Sequence, residues 1–307
     1  MKTIKLNDTK LKIQPPKASA FQYETSENLL KQPFNILLIG RRGSAKSTSA
    51  CNYLRMLKQD DNCDRILCIS STFSSNKALM EDLDIDDEDV FDPDDVKTID
   101  NVLEIMDNEA EGYENYLKEL EIYKQVMKMI HSDSVSILDI PPEYLLKFAS
   151  NNYQPPTYKY HHQPRIIAFV DDAQSTRLFG NRKFINMCVR HRHCGMFSKD
   201  MGGALGLSLL ICVQNFSSAQ FGLPRAVRNN ATALCLFKIY DTKEMENVFK
   251  SVSGEIPLEE FMEVYDYATK EKYCFLLIDL NPKDAKKKHR KCFDELIVPN
   301  GNNKMES

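Results

Sequence analysis

The stretch from residue 34 to residue 57 constrains the fold of this chain more than any other. An apolar run over 34–39 predicts a buried strand, Gly40 opens a loop, and residues 47–57 have the pattern of an amphipathic helix. A second apolar run over 65–70 follows, at the spacing of a strand–helix–strand unit. Such a unit joins parallel strands, so the sequence predicts an α/β fold.

The rest of the chain continues this alternation around one long interruption. Buried strands are predicted over 166–170, 208–214, 233–239 and 273–280, with helical patterns over 183–189, 242–252 and 258–268. We therefore expect one domain over 33–280, with a mostly parallel central sheet flanked by helices. The expected additions are an N-terminal arm over 1–32, an acidic and helical insertion at about 75–160, and a basic C-terminal tail over 281–307.

Composition places the chain among ordinary globular proteins. Its 307 residues are 27% charged and 42% hydrophobic, with a net charge of −4. The first residues are polar, and the longest apolar run, 204–213, is about half of the ~20 residues that cross a bilayer, so neither a signal peptide nor a membrane partner is expected. Several of the nine cysteines lie in strand-like runs, which favours reduced thiols and a cytosol-like compartment.

The insertion contains two distinct patterns. Residues 81–95 carry ten acidic and no basic side chains. A later helical segment has apolar side chains in steps of three and four, and these can pack on the same domain or on a neighbouring subunit. The seam consists of Tyr113, Tyr116, Leu120, Tyr123, Met127 and Ile130.

A cluster of basic residues lies near the C-terminus. A solvated terminus and a contact with a phosphate backbone both explain such a cluster. It consists of Lys283, Lys286, Lys287, Lys288, His289, Arg290 and Lys291.

The loop after the first strand matches the phosphate-binding pattern G-x-x-x-x-G-K-[ST] with one departure. Its sequence is Gly40-Arg41-Arg42-Gly43-Ser44-Ala45-Lys46-Ser47. Backbone N–H groups at a helix N-terminus surround phosphates, while Lys46 neutralises the β- and γ-phosphate oxygens and Ser47 holds Mg²⁺. We expect ATP to contact this loop and Thr48; Ala45 replaces the usual glycine and puts affinity and rate in doubt. The alternative is a glycine-rich turn.

A pair of carboxylates ends the strand predicted over 166–170. Asp171 is expected to hold the Mg²⁺ shell together with Ser47, and Asp172 to act as the general base that polarises the attacking water. Such sites work mainly by positioning and electrostatics. Without the upstream loop, an Asp-Asp strand end also fits a turn that caps a helix.

Two further elements point to the same site. Gln214 ends the next strand, at the edge of the sheet where ligands bind, and is expected to orient the water or sense the γ-phosphate; a capping side chain is the alternative. Of the two arginines before the following strand, Arg228 rather than Arg225 is expected to reach a neighbouring subunit's γ-phosphate, unless both are simple surface residues.

A group of histidines and cysteines lies close together in the sequence, but its spacing matches no zinc pattern. It consists of Cys188, His191, His193 and Cys194. The run from Arg190 to His193 is better interpreted as a basic surface near a nucleic acid or a subunit boundary, with a solvated helix end as the alternative.

Taken in order, these elements resemble those of the FtsK/HerA superfamily of P-loop NTPases, and within it the genome-packaging ATPases of poxviruses, other large cytoplasmic DNA viruses, virophages and Polinton-like viruses. The resemblance covers about residues 34–280 and rests on the Asp171-Asp172 strand end, Arg192-His193, Gln214 and residues 224–229. It implies ring oligomers, with a hexamer as the expected form, that drive double-stranded DNA into a preformed capsid. In such a ring, Arg228 corresponds to the trans-acting arginine. Ala45 and the insertion depart from the family pattern.

The first hypothesis is therefore an ATP- and Mg²⁺-dependent motor that translocates double-stranded DNA into a capsid. A capsid vertex protein is a candidate partner, and the host cytoplasm, where virions assemble, or the virion itself is the expected location. A non-catalytic nucleotide-binding scaffold and a small-molecule kinase remain as alternatives. The strand ending in Asp171 and Asp172 disfavours the kinase, and Ala45 keeps the scaffold open.

Overall fold

The central strand of the sheet lies between two strands that come much later in the chain. The structure, a computed structural model, describes residues 23, 25–130, 141–149, 154–217, 222–252 and 256–299. Within these residues one sheet has the order β3-β2-β4-β5-β1-β6-β7-β8-β9. The strands are β1 Asn35–Ile39, β2 Arg65–Ser70, β3 Val90–Phe91, β4 Ile166–Asp171, β5 Leu207–Val213, β6 Ala233–Leu236, β7 Leu276–Asp279, β8 His289–Lys291 and β9 Glu295–Ile297.

Strand direction divides this sheet into two parts. Strands β1 to β6 pair in parallel, whereas β7, β8 and β9 extend the β6 edge in antiparallel pairings. Helices join the parallel strands, as a parallel sheet requires. The helices are α1 Lys46–Gln59, α2 Lys77–Met80, α3 Thr98–Ile130, α4 Pro142–Ala149, α5 Arg182–Arg190, α6 Arg225–Arg228, α7 Thr242–Val252 and α8 Leu258–Ala268. The predicted α/β class is confirmed.

Both faces of the parallel strands are buried, which explains why those strands are continuous apolar runs. Successive side chains point to opposite faces. Leu37 and Ile39 of β1 belong to a core shared with helices α3, α5, α7 and α8, whereas Ile36 and Leu38 pack on the α1 side. The predicted strands all form, with ends that differ from the prediction by up to three residues.

The sheet extends past residue 280, which corrects the predicted start of the basic tail. Strand β8 pairs with β7, and its His289 and Arg290 are buried. Lys287 forms an ion pair with Glu27 at 2.6 Å, and Lys291 forms one with Glu271 at 2.7 Å. Three-residue strands rich in charge give no apolar run, so the sequence pattern could not show them. Residues 300–307 of the predicted tail lie outside the described residues.

The described end of the predicted N-terminal arm lies against the domain. The backbone N–H of Leu30 donates to the Tyr53 hydroxyl at 3.2 Å, and Gln32 Nε2 donates to the carbonyl of Asn62 at 2.8 Å. Leu30 and Gln32 are both buried. Residues 1–22 and 24 of that arm lie outside the described residues.

The insertion is joined to the domain by buried charges. Arg65 on β2 contacts Asp89 at 2.7 Å and Glu109 of α3 at 2.8 Å, and both carboxylates are almost fully buried. Asp82 also forms a bidentate ion pair with Arg55 of α1, with N–O distances of 2.6 and 2.7 Å. Charge-assisted pairs of this kind are directional, so part of the acidic run has a structural role.

The first residues of the tyrosine seam pack against the rest of the domain. The Tyr113 ring packs against Tyr158 and Phe197, with centroids 5.3 and 6.2 Å apart, and the Tyr116 ring stacks on Tyr158 at 5.3 Å. This end of the seam therefore supports packing within the domain. Farther along α3, the seam residues Leu120, Tyr123, Met127 and Ile130 are half-buried, while Ile122 and Met129, outside the seam, are exposed. Contact of that end with another subunit stays a prediction; residues 131–140 and 150–153 of the insertion lie outside the described residues.

Candidate nucleotide-binding site

The loop between β1 and α1 is held in a fixed shape by the strands beside it. The N–H of Gly40 donates to the carbonyl of Val213 at 3.1 Å, at the end of β5. A side chain at Gly40 would place its Cβ 2.6 Å from Cβ of Phe237, so only glycine fits there. The loop then turns at Gly43, which has a φ of 78°, and reaches the helix at Lys46. Its backbone thus follows the path predicted from the motif.

Ala45 occupies the position where the sequence departs from the motif. It is the N-cap residue of α1 and has φ 72° and ψ 26°, a left-handed conformation that costs a residue with a Cβ about 1–2 kcal/mol. The chain adopts it nevertheless, and the N–H of Ser49 donates to the Ala45 carbonyl at 2.9 Å. The alanine therefore keeps the loop's shape at a cost in strain.

Replacing Ala45 with glycine should relieve that strain. We expect Ala45→Gly to stabilise the nucleotide-free protein by about 1 kcal/mol, which raises Tm by about 2–4 °C. The matched control is Ala50→Gly inside α1, where a glycine should destabilise by a similar amount. Thermal unfolding of the three proteins is the measurement, and a fall in Tm for Ala45→Gly would contradict the assignment of strain.

Lys46 is turned back into the loop. Its Nζ donates to the carbonyls of Gly40 at 2.7 Å and Arg41 at 3.0 Å. Burial lowers the pKa of this ammonium, while Asp171 and Asp172 act in the opposite direction. The half-buried cation is thus held at the mouth of the loop, where phosphate oxygens would offer it stronger acceptors than carbonyls do.

Asp171 ends β4 in a buried position beside the loop. Burial raises the pKa of its carboxyl above the ordinary value, while the nearby Ser47 hydroxyl and Cys212 thiol act in the opposite direction. Within the described part of the chain, its Oδ2 has no hydrogen-bond partner. A buried, partly unpaired carboxylate next to a hydroxyl suits a hard cation with oxygen ligands, so Ser47 and Asp171 fit the predicted Mg²⁺ site.

The raised pKa of Asp171 gives stability a defined pH dependence. Because the folded-state pKa lies above the unfolded one, the ionised carboxylate destabilises the fold at neutral pH, and this penalty disappears as pH falls toward the ordinary value of 3.8. We expect Asp171→Asn to melt above the wild type at pH 7, with a difference that closes on acidification. Thermal melts of nucleotide-free protein across pH test this, and a difference that does not change with pH would contradict it.

Asp172 follows directly and is exposed, unlike Asp171. Its φ of 52° is left-handed, which turns the chain sharply at the end of the strand. The Ser71 hydroxyl, at the end of neighbouring strand β2, donates to the Asp172 carbonyl at 3.0 Å. This contact holds the turn that presents the second carboxylate to the phosphate loop. Ser71 could have been suspected from the sequence, because it also follows a buried strand.

Gln214 lies at the end of β5, as expected, and is oriented by a residue that sequence reasoning missed. The side-chain oxygen of Gln174 accepts the backbone N–H groups of Gln214 and, at 3.3 Å, Asn215. The side chain of Glu244 on α7 accepts the N–H of Ser217 at 3.0 Å. These contacts connect the loop after β5 to the segment after β4 and to α7, so the backbone at Gln214 is held in place.

These groups share one cavity of about 590 Å³. The loop and the start of α1 line it together with Asp171, Asp172 and Gln214. The opposite wall is formed by Thr72, Ser75, Asn76 and Leu79, which sequence reasoning missed although they follow the end of β2. A phosphate loop follows the central strand β1 and faces the acid that ends β4, a parallel strand separated from β1 by β5. The chain has the fold of a P-loop NTPase.

Arg228 is the one predicted catalytic residue that does not line this cavity. Its Nε donates to the carbonyl of Leu223 at 3.1 Å, and its guanidinium lies over the Phe216 ring, 5.0 Å from the centroid. Arg225, on the same short helix, is exposed. A role for either arginine at a neighbouring subunit's nucleotide stays a prediction.

Most of the histidines and cysteines near residue 190 are buried within the domain. Cys188, His191 and Cys194 are buried, and His191 Nδ1 lies 3.0 Å from the carbonyl of Leu207. Burial lowers the pKa of His191 to about 4, so its ring is neutral at physiological pH. Arg190, Arg192 and His193 are exposed, as the basic-surface interpretation requires.

Of three comparisons with known proteins, only the search of solved structures found similar ones. A scan against protein-family models found no match, and neither did a search of curated proteins. Similar solved structures include the genome packaging NTPase B204 from Sulfolobus turreted icosahedral virus 2, in complex with AMP (14% identity, 84% of this chain and 96% of that chain, TM-score 0.45) and with ATP-gammaS (15%, 85% and 97%, TM-score 0.43). The cytoplasmic domain of the Thermomonospora curvata Type VII secretion ATPase EccC is also similar (15%, TM-score 0.38); the match covers 85% of this chain and 27% of that one.

Among the described residues, no helix combines the length and the apolar character that a membrane crossing requires.

Proposed function

We propose that this chain is an Mg²⁺-dependent ATPase that hydrolyses ATP at the cavity between the phosphate loop and the end of β4. The observation that carries the proposal is the meeting of Lys46, Ser47, Asp171, Asp172 and Gln214 in one cavity of about 590 Å³. A binding module needs the loop and the lysine alone. The exposed second carboxylate supplies the group that hydrolysis needs in addition.

Each residue has a defined part in this reaction. The loop N–H groups and Lys46 bind the phosphates, and the ammonium exchanges the Gly40 and Arg41 carbonyls for phosphate oxygens. Asp172 accepts a proton from the attacking water, which Gln214 orients. When bound by Ser47 and Asp171, Mg²⁺ would stabilise the negative charge that develops on the phosphate oxygens.

The nucleoside fits a second cavity on the other side of the loop. This cavity has a volume of about 880 Å³, and its walls include Arg41, Phe237 and Tyr240. The Arg41 guanidinium lies over the Tyr240 ring, 4.8 Å from the centroid, and the ring itself is 69% exposed. An exposed aromatic ring beside the phosphate loop offers a base a stacking surface.

The finer proposal is a motor that moves double-stranded DNA into a viral capsid. Its support is the ordered resemblance to packaging ATPases, together with the exposed basic surface of Arg190, Arg192 and His193. We propose that subunits form a ring in which Arg228 acts on a neighbour's nucleotide. A capsid vertex protein is the proposed partner, and virion assembly in the host cytoplasm the proposed setting.

Phosphate release without any acceptor is the experiment that tests hydrolysis. We expect purified protein with Mg²⁺ and ATP to release inorganic phosphate at a steady rate, which EDTA abolishes. A small-molecule kinase would release inorganic phosphate only slowly, because it transfers the γ-phosphoryl group to an acceptor rather than to water. A scaffold would bind ATP and return it intact, so either result would overturn the proposal.

A further inference from the structure

Three potential metal ligands converge at the edge of the sheet opposite the phosphate loop. Asp61 and Asp64 lie between α1 and β2, and His162 lies just before β4. The ligand atoms of these three side chains all lie within 4.8 Å of one another. His162 Nε2 is 3.3 Å from Oδ2 of Asp61, and its Nδ1 is 3.6 Å from Oδ2 of Asp64. Two segments about 100 residues apart in the sequence therefore meet here.

The hydrogen bond of His162 Nδ1 determines which kind of group its Nε2 can bind. Nδ1 lies 3.0 Å from the backbone carbonyl of Gln163, which only accepts, so Nδ1 carries the proton. In the neutral ring, Nε2 then presents its lone pair to the carboxylate oxygen of Asp61 at 3.3 Å. Two acceptors that face each other repel, so a proton or a metal cation belongs between them. A histidine that donates its other N–H to a carbonyl is the usual arrangement at metal sites.

The second carboxylate, that of Asp64, is held close to the ring by a backbone contact. The Asp64 side chain is only 9% exposed, and its Oδ2 accepts a hydrogen bond from the backbone N–H of Arg165 at 2.7 Å. The Arg165 guanidinium donates to Oδ1 of Asn62 at 2.7 Å and to the carbonyl of Asp61. The two carboxylates carry two negative charges beside the one positive charge of this guanidinium.

We propose that Asp61, Asp64 and His162 bind one Zn²⁺ ion, with a water molecule in the fourth position. Two carboxylates and one imidazole suit zinc, whereas the all-oxygen pair at Ser47 and Asp171 suits magnesium. The ion joins the turn after α1 to the segment that returns from the insertion. It is thus a structural site, separate from the nucleotide chemistry and independent of the proposed ATPase function.

Metal binding by the full chain tests this site directly. Protein stripped with EDTA and freed of chelator is titrated with Zn²⁺ by calorimetry, without nucleotide, and its Tm is measured with and without the ion. We expect one ion per chain at micromolar affinity and a rise in Tm. His162→Ala should weaken binding at least tenfold and remove the rise. The matched control is His161→Ala, which alters the exposed neighbour and should bind as the wild type does.

Two further measurements separate this site from the alternatives. Asp61→Asn, an isosteric change at an exposed position, should also weaken Zn²⁺ binding. This variant provides the test if His162→Ala does not fold. Co²⁺ in place of Zn²⁺ should give a visible spectrum without a thiolate charge-transfer band, since the site contains no cysteine. Zn²⁺ binding that both variants retain, a thiolate band, or no binding at all would each overturn the proposal; the last result would leave a proton between His162 and Asp61.

Discussion

Lys46→Ala should lower the affinity for ATP about 100-fold and abolish turnover. The ammonium lies at the mouth of the loop, and its contacts with two carbonyls would be replaced by charge-assisted contacts with phosphate oxygens. Losing contacts of this strength costs about 2–3 kcal/mol, which corresponds to roughly two orders of magnitude in Kd. Calorimetric titration with ATP and Mg²⁺ measures the effect.

Lys58→Ala is the matched control for this lysine. Lys58 lies in the last turn of the same helix and pairs with Asp84 at 3.6 Å, away from the cavity. Its removal should leave ATP affinity unchanged. Equal affinity of Lys46→Ala and the wild type would show that the phosphates bind elsewhere and would contradict the assignment of the loop.

Asp172→Asn should separate binding from turnover. The amide keeps the size of the side chain but cannot accept the proton of the attacking water, so kcat should fall about 10²–10³-fold. Affinity for ATP should change little, because the loop and Lys46 bind the phosphates. Phosphate release and calorimetry on the same preparation give both quantities.

The control for Asp172→Asn is Asp87→Asn, which removes one exposed acid of the 81–95 run. That variant should retain wild-type kcat. A wild-type rate in Asp172→Asn would assign the base to another residue. A loss of binding equal to the loss of rate would show that Asp172 acts on the nucleotide rather than on the water.

Much of the site follows from sequence because its main residues lie at the ends of regular elements. Gly40, Asp171 and Gln214 each end a buried apolar run, and parallel strands bring such ends to one edge. The spacing of Lys46 and Ser47 follows from the loop pattern alone. These inferences need only local patterns and the direction of the strands.

The rest depends on contacts between distant segments, which leave no periodic signal. The side chain of Gln174 reaches the backbone N–H groups of the loop after β5, and Ser71 holds the carbonyl of Asp172 from another strand. Likewise, Arg65 meets Glu109 across 44 positions of sequence. Strand β8 was missed for a different reason: its residues are charged and its stability comes from pairing with β7.

Steady-state ATP hydrolysis with Mg²⁺ tests the proposed motor most directly when it is measured with and without double-stranded DNA, over a range of salt concentrations. We expect turnover to rise several-fold with DNA of any sequence and this stimulation to decline as salt increases, because phosphate contacts dominate such binding. In both conditions Lys46→Ala should show no turnover, and Asp172→Asn should keep its about 10²–10³-fold lower rate. A rate of phosphate release that does not change with DNA at any salt concentration would contradict the motor and leave a hydrolase. ATP binding without phosphate release would contradict hydrolysis itself.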